Sequence, residues 1–392
     1  MGKTRVIWLD NNGFIPYNRP SVDNEDIAEV VKTLRSGWLT QGPKTIEFEE
    51  KVAAYCDAKY AVAVNSCTAA LHLSLLACDI GNGDEVITTP YTFASTGNVI
   101  VHSGARPVFV DVQSDTCNIA PDAINDVITN KTKAIIPVHF AGQSCDMDEI
   151  LAIARDHDLR VINDAAHAIG SEYHGRKTGC DGDATCFSFY ATKNFTTGEG
   201  GAVTTNNDKI HKKIQLLRLH GISRDAWKRY TREGSWYYEI EECGWKYNLT
   251  DVSAALGCSQ IAKLDRFNKR RREIAARYTS VFGKRDDLIV PTERPDRNHV
   301  FHIYPLLLKK HDRGVFINEM TKRGVGCSVH FIPLHLHPFY RKTYGYKRGD
   351  YPIAEWIYDR EVSLPLYPGM SDTDVEKVLN IALDVLDGST TQ

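Results

Sequence analysis

The sequence predicts an α/β protein: a large domain built on a doubly wound, mostly parallel sheet flanked by helices, followed by a smaller α+β domain. Three observations predict it. From Tyr60 to Asn206 short β-rich runs alternate with helical patterns, as in successive strand–helix–strand units. Those runs are continuously apolar, which suits strands buried on both faces. Beyond about Leu264 the alternation ends and the pattern becomes strand, helix and extended chain.

Taken in order, "FIPYNRPSV" (14–22) is expected to pack near the domain junction with the rest of residues 1–20. "YAVAVNS" (60–66) reads as a strand, and "TAALHLSLLACDI" as a helix starting at Thr68. "EVITTP" and "PVFVDV" are short strands, with "TFASTGNVIVHSG" between them as a helix. "AIIPVHF", "DMDEILAIARDHD" and "RVINDAAHAIG" give strand, helix and strand, and "ATCFSFY" and "GAVTTN" add two more strands. Residues 250–283 contain no proline and carry Thr250 as an N-cap candidate, so they read as one long helix. "HVFHIYPLLLK" then reads as a strand, "GVFINEMTKRG" as a helix and "VSLPLYPGM" as extended chain. The expected division is a domain of residues 1–263 and a second of 264–392.

Composition excludes several classes. A formal charge of −3 on 392 residues argues against non-specific nucleic-acid binding. No apolar run reaches the ~18 residues of a membrane span, and "MGKTRVIWLDNNG" lacks a signal-peptide core. The same segment lacks the hydroxyl residue that myristoylation at Gly2 requires. None of the ten cysteines forms a C-x-x-C pair, so they read as reduced, mostly buried thiols of a cytoplasmic protein.

The chemistry gathers around one lysine. In "YATKNFTTGEGGAV" (190–203), Lys193 stands among small and hydroxyl residues ahead of Gly198, Gly200 and Gly201. Ligands of a doubly wound sheet collect at the carboxyl ends of its strands, and four other pieces fall there. Asp164 ends "RVIND"; a carboxylate in that position calls for a cation such as a protonated pyridine nitrogen, or else caps the next helix. "NSCTAALHL" opens a helix whose free N–H groups, with Thr68 and the small Ala69, suit a phosphate or a plain N-cap. Ser188 in "CFSFY" is within reach of the same phosphate, and Phe93 in "TPYTFAST" is placed to cover a planar ring; taken alone, such a serine is usually structural and such a phenylalanine far more often core. Together these are the parts that pyridoxal phosphate needs. Small residues after Lys193 then read as room for the cofactor and its substrate.

These motifs, with "GDEVITTPYTFASTGNVI" and "GWKYNLTDVSAALG", resemble the DegT/DnrJ-type sugar aminotransferases, pyridoxal phosphate enzymes of fold type I. The similarity runs from "SGWLTQGPKTIEFEE" to "SLPLYPGMSDTDVEKV" and is greatest to the branch that aminates C4 of nucleotide-linked keto sugars. The resemblance implies roles for individual positions. Lys193 matches the Schiff-base lysine and Asp164 the carboxylate on the pyridine nitrogen. His167 falls beside the ring hydroxyl, Phe93 matches the stacking aromatic, and Thr68, Ala69 and Ser188 match phosphate contacts. Asn248 matches an asparagine that reaches the phosphate of the neighbouring subunit, which implies a homodimer with shared sites. His330 matches a residue near the cofactor in C4-type relatives. Cys67 stands where many relatives have glycine, whereas Lys193 is retained where dehydrating relatives carry histidine. The implied reaction moves an amino group from L-glutamate to C4 of a UDP-4-keto-6-deoxy type sugar, in amino-sugar and surface-polysaccharide synthesis.

Two segments are candidates for the sugar nucleotide. "GISRDAWKRYTREGSWYYEIEECGW" interleaves Arg224, Lys228, Arg229 and Arg232 with Trp227, Tyr230, Trp236 and Tyr237, which suits a diphosphate and a base or equally a solvated surface. "GWLTQGP" offers Trp38, Leu39 and Thr40, or simply a turn. His330, His335 and His337 are interrupted by Pro333 and Pro338, and no metal is expected there. The alternatives are a C3 sugar aminotransferase, a dehydratase or lyase on the same scaffold, a non-catalytic relative, and a histidine–metal hydrolase.

Overall fold

The structure, a computed structural model, describes residues 13–222 and 237–388. Among these residues one seven-stranded sheet forms the centre. Its strands are β1 (Tyr60–Val64), β2 (Glu85–Thr88), β3 (Arg106–Phe109), β4 (Thr132–Ile136) and β5 (Arg160–Asp164). A short hairpin of β6 (Glu172–Tyr173) and β7 (Arg176–Lys177) follows, and then β8 (Ala184–Ser188) and β9 (Gly201–Thr205) complete the sheet. The spatial order is β1-β9-β8-β5-β4-β2-β3. Pairing is parallel from β3 through β2, β4 and β5 to β8, and β9 alone runs antiparallel to both its neighbours. The carboxyl ends of β1, β2, β5 and β8 and the amino end of β9 therefore share one edge.

Side chains alternate across the strands and divide the core in two. Val62, Val64, Ile136, Ile162 and Val203 face α3 (Cys67–Ala77), α4 (Ala94–His102) and α6 (Asp208–Leu217). Ala61, Ala63, Phe187 and Ala202 face the other way, against Phe48 and Val52 of α2 (Pro43–Tyr55) and Ala254 and Cys258 of α7 (Asp251–Ile261). On that same face Ile135 and Val161 pack on α5 (Met147–Asp156). Each fully buried Val, Ile or Leu contributes about 1.5–3 kcal/mol. Strand and helix positions follow the expected order. The first helix of the sheet begins one residue earlier than expected, at Cys67 with Ser66 as its N-cap.

Residues 250–283 are not one helix. The chain breaks between α7 and α8 (Leu264–Phe282) at Ala262 and Lys263. The cause is tertiary. Lys263 turns to Asp23 and Asp26 at the start of α1 (Asn24–Ser36), with an Nζ–Oδ1 distance of 3.0 Å to Asp26. Gln260 donates to the Ser21 carbonyl at 2.8 Å and to Asp26 at 2.6 Å. Thr250 does cap α7, accepting the Ser253 N–H at 3.2 Å.

Beyond α8, β10 (Leu288–Ile289) and β13 (Glu361–Leu364) flank β12 (Tyr304–Leu308) in an antiparallel sheet, while β11 (Arg297–Asn298) pairs with β6. Ile274, Tyr278 and Phe282 of α8 and Phe316 and Met320 of α9 (Arg313–Lys322) form its core. Ile15 enters this cluster and pairs with Val325, while Asn18 donates to the Thr192 carbonyl at 3.1 Å. Residues 14–22 thus tie the C-terminal sheet to the loop carrying Lys193. The ten cysteines are free thiols, and Cys243 alone is exposed. Among the described residues no helix is long and apolar enough to cross a membrane.

Candidate active site

A cavity of about 370 Å³ opens at the shared strand edge. Thr68, Phe93, Asp164, His167, Ser188, Lys193 and His330 all line it. All but His330 follow or end different strands of the sheet, and His330, 262 positions after Thr68, is brought to them by the C-terminal part of the chain.

Asp164 ends β5 nearly buried, and its carboxylate is held from two sides. Thr96 donates its hydroxyl to Oδ2 at 2.7 Å, and the Ala166 N–H donates to Oδ1 at 3.1 Å. Thr92 in turn lies 2.8 Å from the Thr96 hydroxyl. Burial raises the Asp164 pKa, and the Thr96 and Ala166 bonds and the Lys193 charge oppose the rise. Such a carboxyl binds a cation strongly when one is supplied. Lys193 lies on the loop after β8, with its N–H donating to Tyr190 at 2.9 Å. Burial lowers its amine to about 8, with Cys67 and Asp164 opposing and Arg271 assisting. A neutral nucleophilic amine is therefore well populated near physiological pH.

The turn into α3 makes the second wall. Ser66 accepts the Ala69 N–H at 3.1 Å, while the N–H groups of Cys67 and Thr68 precede the first intrahelical bond. Gly201 explains the approach: a Cβ there would stand 2.6 Å from the Cys67 nitrogen, so β9 can pass this turn only without a side chain. Gly200 lines the cavity, and Gly198 has φ +81°. Of the three glycines expected to clear room for a ligand, only Gly200 borders that room. Gly201 clears room for backbone and Gly198 serves a left-handed turn. Cys67 also lines the cavity, with its thiol pushed far up by burial and by Asp164. Ala69 is buried behind the turn, its N–H already used by Ser66.

Aromatic and imidazole rings close the remaining sides. Phe93 precedes α4 and leaves 62% of its surface open at the cavity, 6.0 Å from Phe331. His167 stacks on Phe331 at 5.9 Å and meets His302 at 4.4 Å. Burial holds both imidazoles neutral, and each leaves a buried Nδ1 without a hydrogen-bond partner. Tyr17 and His139 complete this wall. Thr96, Tyr17 and His302 were not legible as site residues. Thr96 resembles any first-turn threonine, and His302 lies in an alternating strand-like run.

Other expected contacts lie elsewhere. Asn248 pairs with Val64 by backbone, accepts from Lys246 and stays outside this cavity. Trp38, Leu39 and Thr40 lie between α1 and α2, away from the cavity of their own chain, where the Thr40 carbonyl accepts the Asp251 N–H at 3.1 Å. Arg224, Trp227, Lys228, Arg229, Tyr230, Arg232 and Trp236 lie outside the described residues. His335 is fully buried and bonds Glu355 at 2.8 Å, apart from His330. Among the described residues no three metal-ligating side chains converge.

The residues present fit pyridoxal phosphate: a buried carboxylate for a pyridinium, a neutralisable amine, free helix N–H groups for a phosphate, and an orphaned Nδ1 on His167, a residue of the cavity wall. Comparison with known proteins agrees. The profile of the DegT/DnrJ/EryC1/StrS aminotransferase family matches residues 20–382. The chain is 51% identical over 383 residues to SpsC, a spore coat polysaccharide biosynthesis protein of Bacillus subtilis, covering 96% of this chain and 98% of that one. Spr1654 of Streptococcus pneumoniae, assigned as a sugar aminotransferase and solved in PLP and PMP forms, superposes with a TM-score of 0.88 at 35% identity; its PMP form covers 96% of this chain and 100% of its own. Helicobacter pylori PseC, an aminotransferase involved in pseudoaminic acid biosynthesis, superposes at 0.88 with 30% identity and the same coverage. The chain belongs to the DegT/DnrJ/EryC1/StrS aminotransferase family, a transaminase of fold type I that uses pyridoxal phosphate.

Proposed function

We propose that this protein transfers the amino group of L-glutamate to C4 of a nucleotide-linked keto sugar, with a UDP-4-keto-6-deoxy sugar as the expected class. The observation that carries the reading is the lowered Lys193 amine and the buried Asp164 carboxylate on one cavity. Kinship to SpsC, Spr1654 and PseC supports a sugar as the acceptor and surface-polysaccharide synthesis as the setting.

Bound pyridoxal phosphate supplies the electron sink that stabilises a carbanion at the reacting carbon. Lys193 Nζ takes the proton from Cα of the amino donor and, in the second half of the cycle, returns one to C4 of the sugar. Asp164, steadied by Thr96, keeps the pyridine nitrogen protonated. Thr68, Ala69 and Ser188 hold the phosphate, with Ala69 contributing through the turn it buries. Phe93 covers one ring face and His167 attends the ring hydroxyl.

Asn248 completes the phosphate site of a second subunit, so the working enzyme is a homodimer. Trp38, Leu39 and Thr40 and the basic residues Arg224, Lys228 and Arg229 address the sugar nucleotide. We assign residues 1–263 to the cofactor domain and 264–392 to the smaller one, and the cytoplasm as the place of action, where nucleotide sugars and glutamate are available. The test is incubation of the holoenzyme with glutamate and UDP-, GDP- and dTDP-4-keto sugars, followed by mass analysis. An aminated sugar with matching 2-oxoglutarate is expected; 2-oxoglutarate released with no sugar aminated would overturn the acceptor assignment.

A further inference from the structure

Glu361, the first residue of β13, is a completely buried carboxyl to which none of the roles above refers. Its Oε2 accepts the backbone N–H of His330 at 2.7 Å, and its Oε1 accepts the hydroxyl of Ser363. The same hydroxyl lies 2.9 Å from Nδ1 of His330. Ser363 is fixed by two backbone bonds to Ser328, at 2.8 and 3.1 Å. The His330 carbonyl is fixed by the Tyr91 hydroxyl at 2.5 Å. Phe331 and Tyr17 pack on the ring, at 4.9 and 5.4 Å. Nδ1 is committed to Ser363, which leaves Nε2 as the nitrogen of this cavity-lining residue without a hydrogen-bond partner among the described residues.

A hydroxyl between a carboxyl and an imidazole couples their protons. When Glu361 is protonated it donates to Ser363, Ser363 donates to Nδ1, and the imidazole proton sits on Nε2. When Glu361 is ionised, Ser363 donates to it, Nδ1–H donates to Ser363, and Nε2 is bare. Passing between these states breaks the carboxyl O–H as a new Ser363 O–H forms. The old Ser363 O–H breaks as Nδ1–H forms, and Nε2–H is released into the cavity. The states differ by one proton, which enters or leaves at Nε2.

The groups around this chain keep both ends neutral near pH 7. Burial pushes Glu361 up to about 8, against the bonds from Ser363 and His330 and the charge of Arg313. Burial, then Lys193 across the cavity, pushes His330 down to about 4. Tyr17, Tyr91, Cys117 and Cys327 also face Glu361, and burial raises each of them, so they remain uncharged. Arg271 stands beyond Tyr17 and bonds the carbonyls of His302 and Leu366 at 3.1 and 2.8 Å.

We propose that Glu361 and Ser363 are positioning residues that set the tautomer of His330, and that His330 Nε2 exchanges a proton with the oxygen of a keto substrate in the cavity. That oxygen must leave as water when nitrogen takes its place. Nε2–H lends a proton to the departing oxygen and recovers one from the incoming amine nitrogen, so the net hydrogens of the water come from the amine. The tautomer control stands on the geometry alone, whereas the transfer to a keto oxygen rests on the function proposed above.

The test is 15N NMR of the holoenzyme labelled at histidine, with the His330 signals identified by their loss in His330→Gln. The wild type is expected to carry its single proton on Nε2 between about pH 4 and pH 8 and on Nδ1 above that. In Glu361→Gln the amide accepts the His330 N–H and donates to Ser363, so the Nε2–H form persists across the range. Ser363→Ala should abolish the switch and Ser363→Thr restore it. A wild-type tautomer that never changes, or a switch that survives in Glu361→Gln, overturns the tautomer control. Single-turnover amination should slow above about pH 8 in the wild type and lose that decline in Glu361→Gln. A normal tautomer switch with an unchanged amination profile would overturn the proton-exchange role alone.

Discussion

A lysine removed from water loses the solvation that favours its charge, and Lys193 is such a lysine, lowered to about 8 chiefly by burial. Near pH 8 about half of this amine is neutral, whereas an ordinary lysine is under about 1% neutral there. The neutral, reactive form gains as pH rises, and the lowered pKa brings that gain down to near pH 8. The cofactor-free protein should therefore take up pyridoxal phosphate, followed by its absorbance, with a rate that climbs to a midpoint near pH 8. A midpoint above pH 10 would mean that Lys193 is solvated. Asp164 depends on Thr96, and Thr96→Val should cost turnover roughly tenfold, equivalent to about 1.5 kcal/mol for a lost bond to a charged group, while cofactor remains bound. Turnover equal to the wild type would remove Thr96 from the account. Asp164 and Lys193 were legible because a carboxylate closing an apolar strand and an amine before a glycine cluster both break local rules. Thr96 broke none, and Gly201 was misread because only the fold reveals that its neighbour is the Ser66–Cys67 backbone.

Helix and strand positions were legible wherever local patterning controls them, as in the apolar β4, β5 and β8. The joint between α7 and α8 was not, since no proline or glycine marks it and its cause is 237 residues away in Asp26. A comparable long-range device anchors α2. Gly42 gives that helix no side-chain cap, and Asp251 supplies one from the start of α7. Its buried carboxylate accepts the N–H groups of Gly42, Lys44 and Thr45 at 2.7, 3.0 and 2.9 Å and the Thr45 hydroxyl at 2.7 Å. Asp251→Ala strands these donors and should destabilise the fold by about 3 kcal/mol, read as a lower denaturation midpoint. A loss below about 0.5 kcal/mol would mean that water replaces the carboxylate.

In the whole molecule the parallel sheet explains why residues from Thr68 to Lys193 meet at one edge, and the regular alternation of strand and helix made that edge predictable. A contact reaching into a second subunit would carry no such signal. Asn248, Trp38, Leu39 and Thr40 do not line this cavity, and the proposed reach of Asn248 into a second subunit needs its own test. Mixing Lys193→Ala with Asn248→Ala subunits should then restore about a quarter of wild-type activity, because half of the dimers are hybrids and each has one intact site. No recovery after verified subunit exchange would count against shared sites. The most direct measurement of the central claim is borohydride reduction of the holoenzyme followed by peptide mass mapping. The account predicts a phosphopyridoxyl group on the peptide containing Lys193, absent from Lys193→Ala; the same group on another lysine, with Lys193 unmodified, would contradict it.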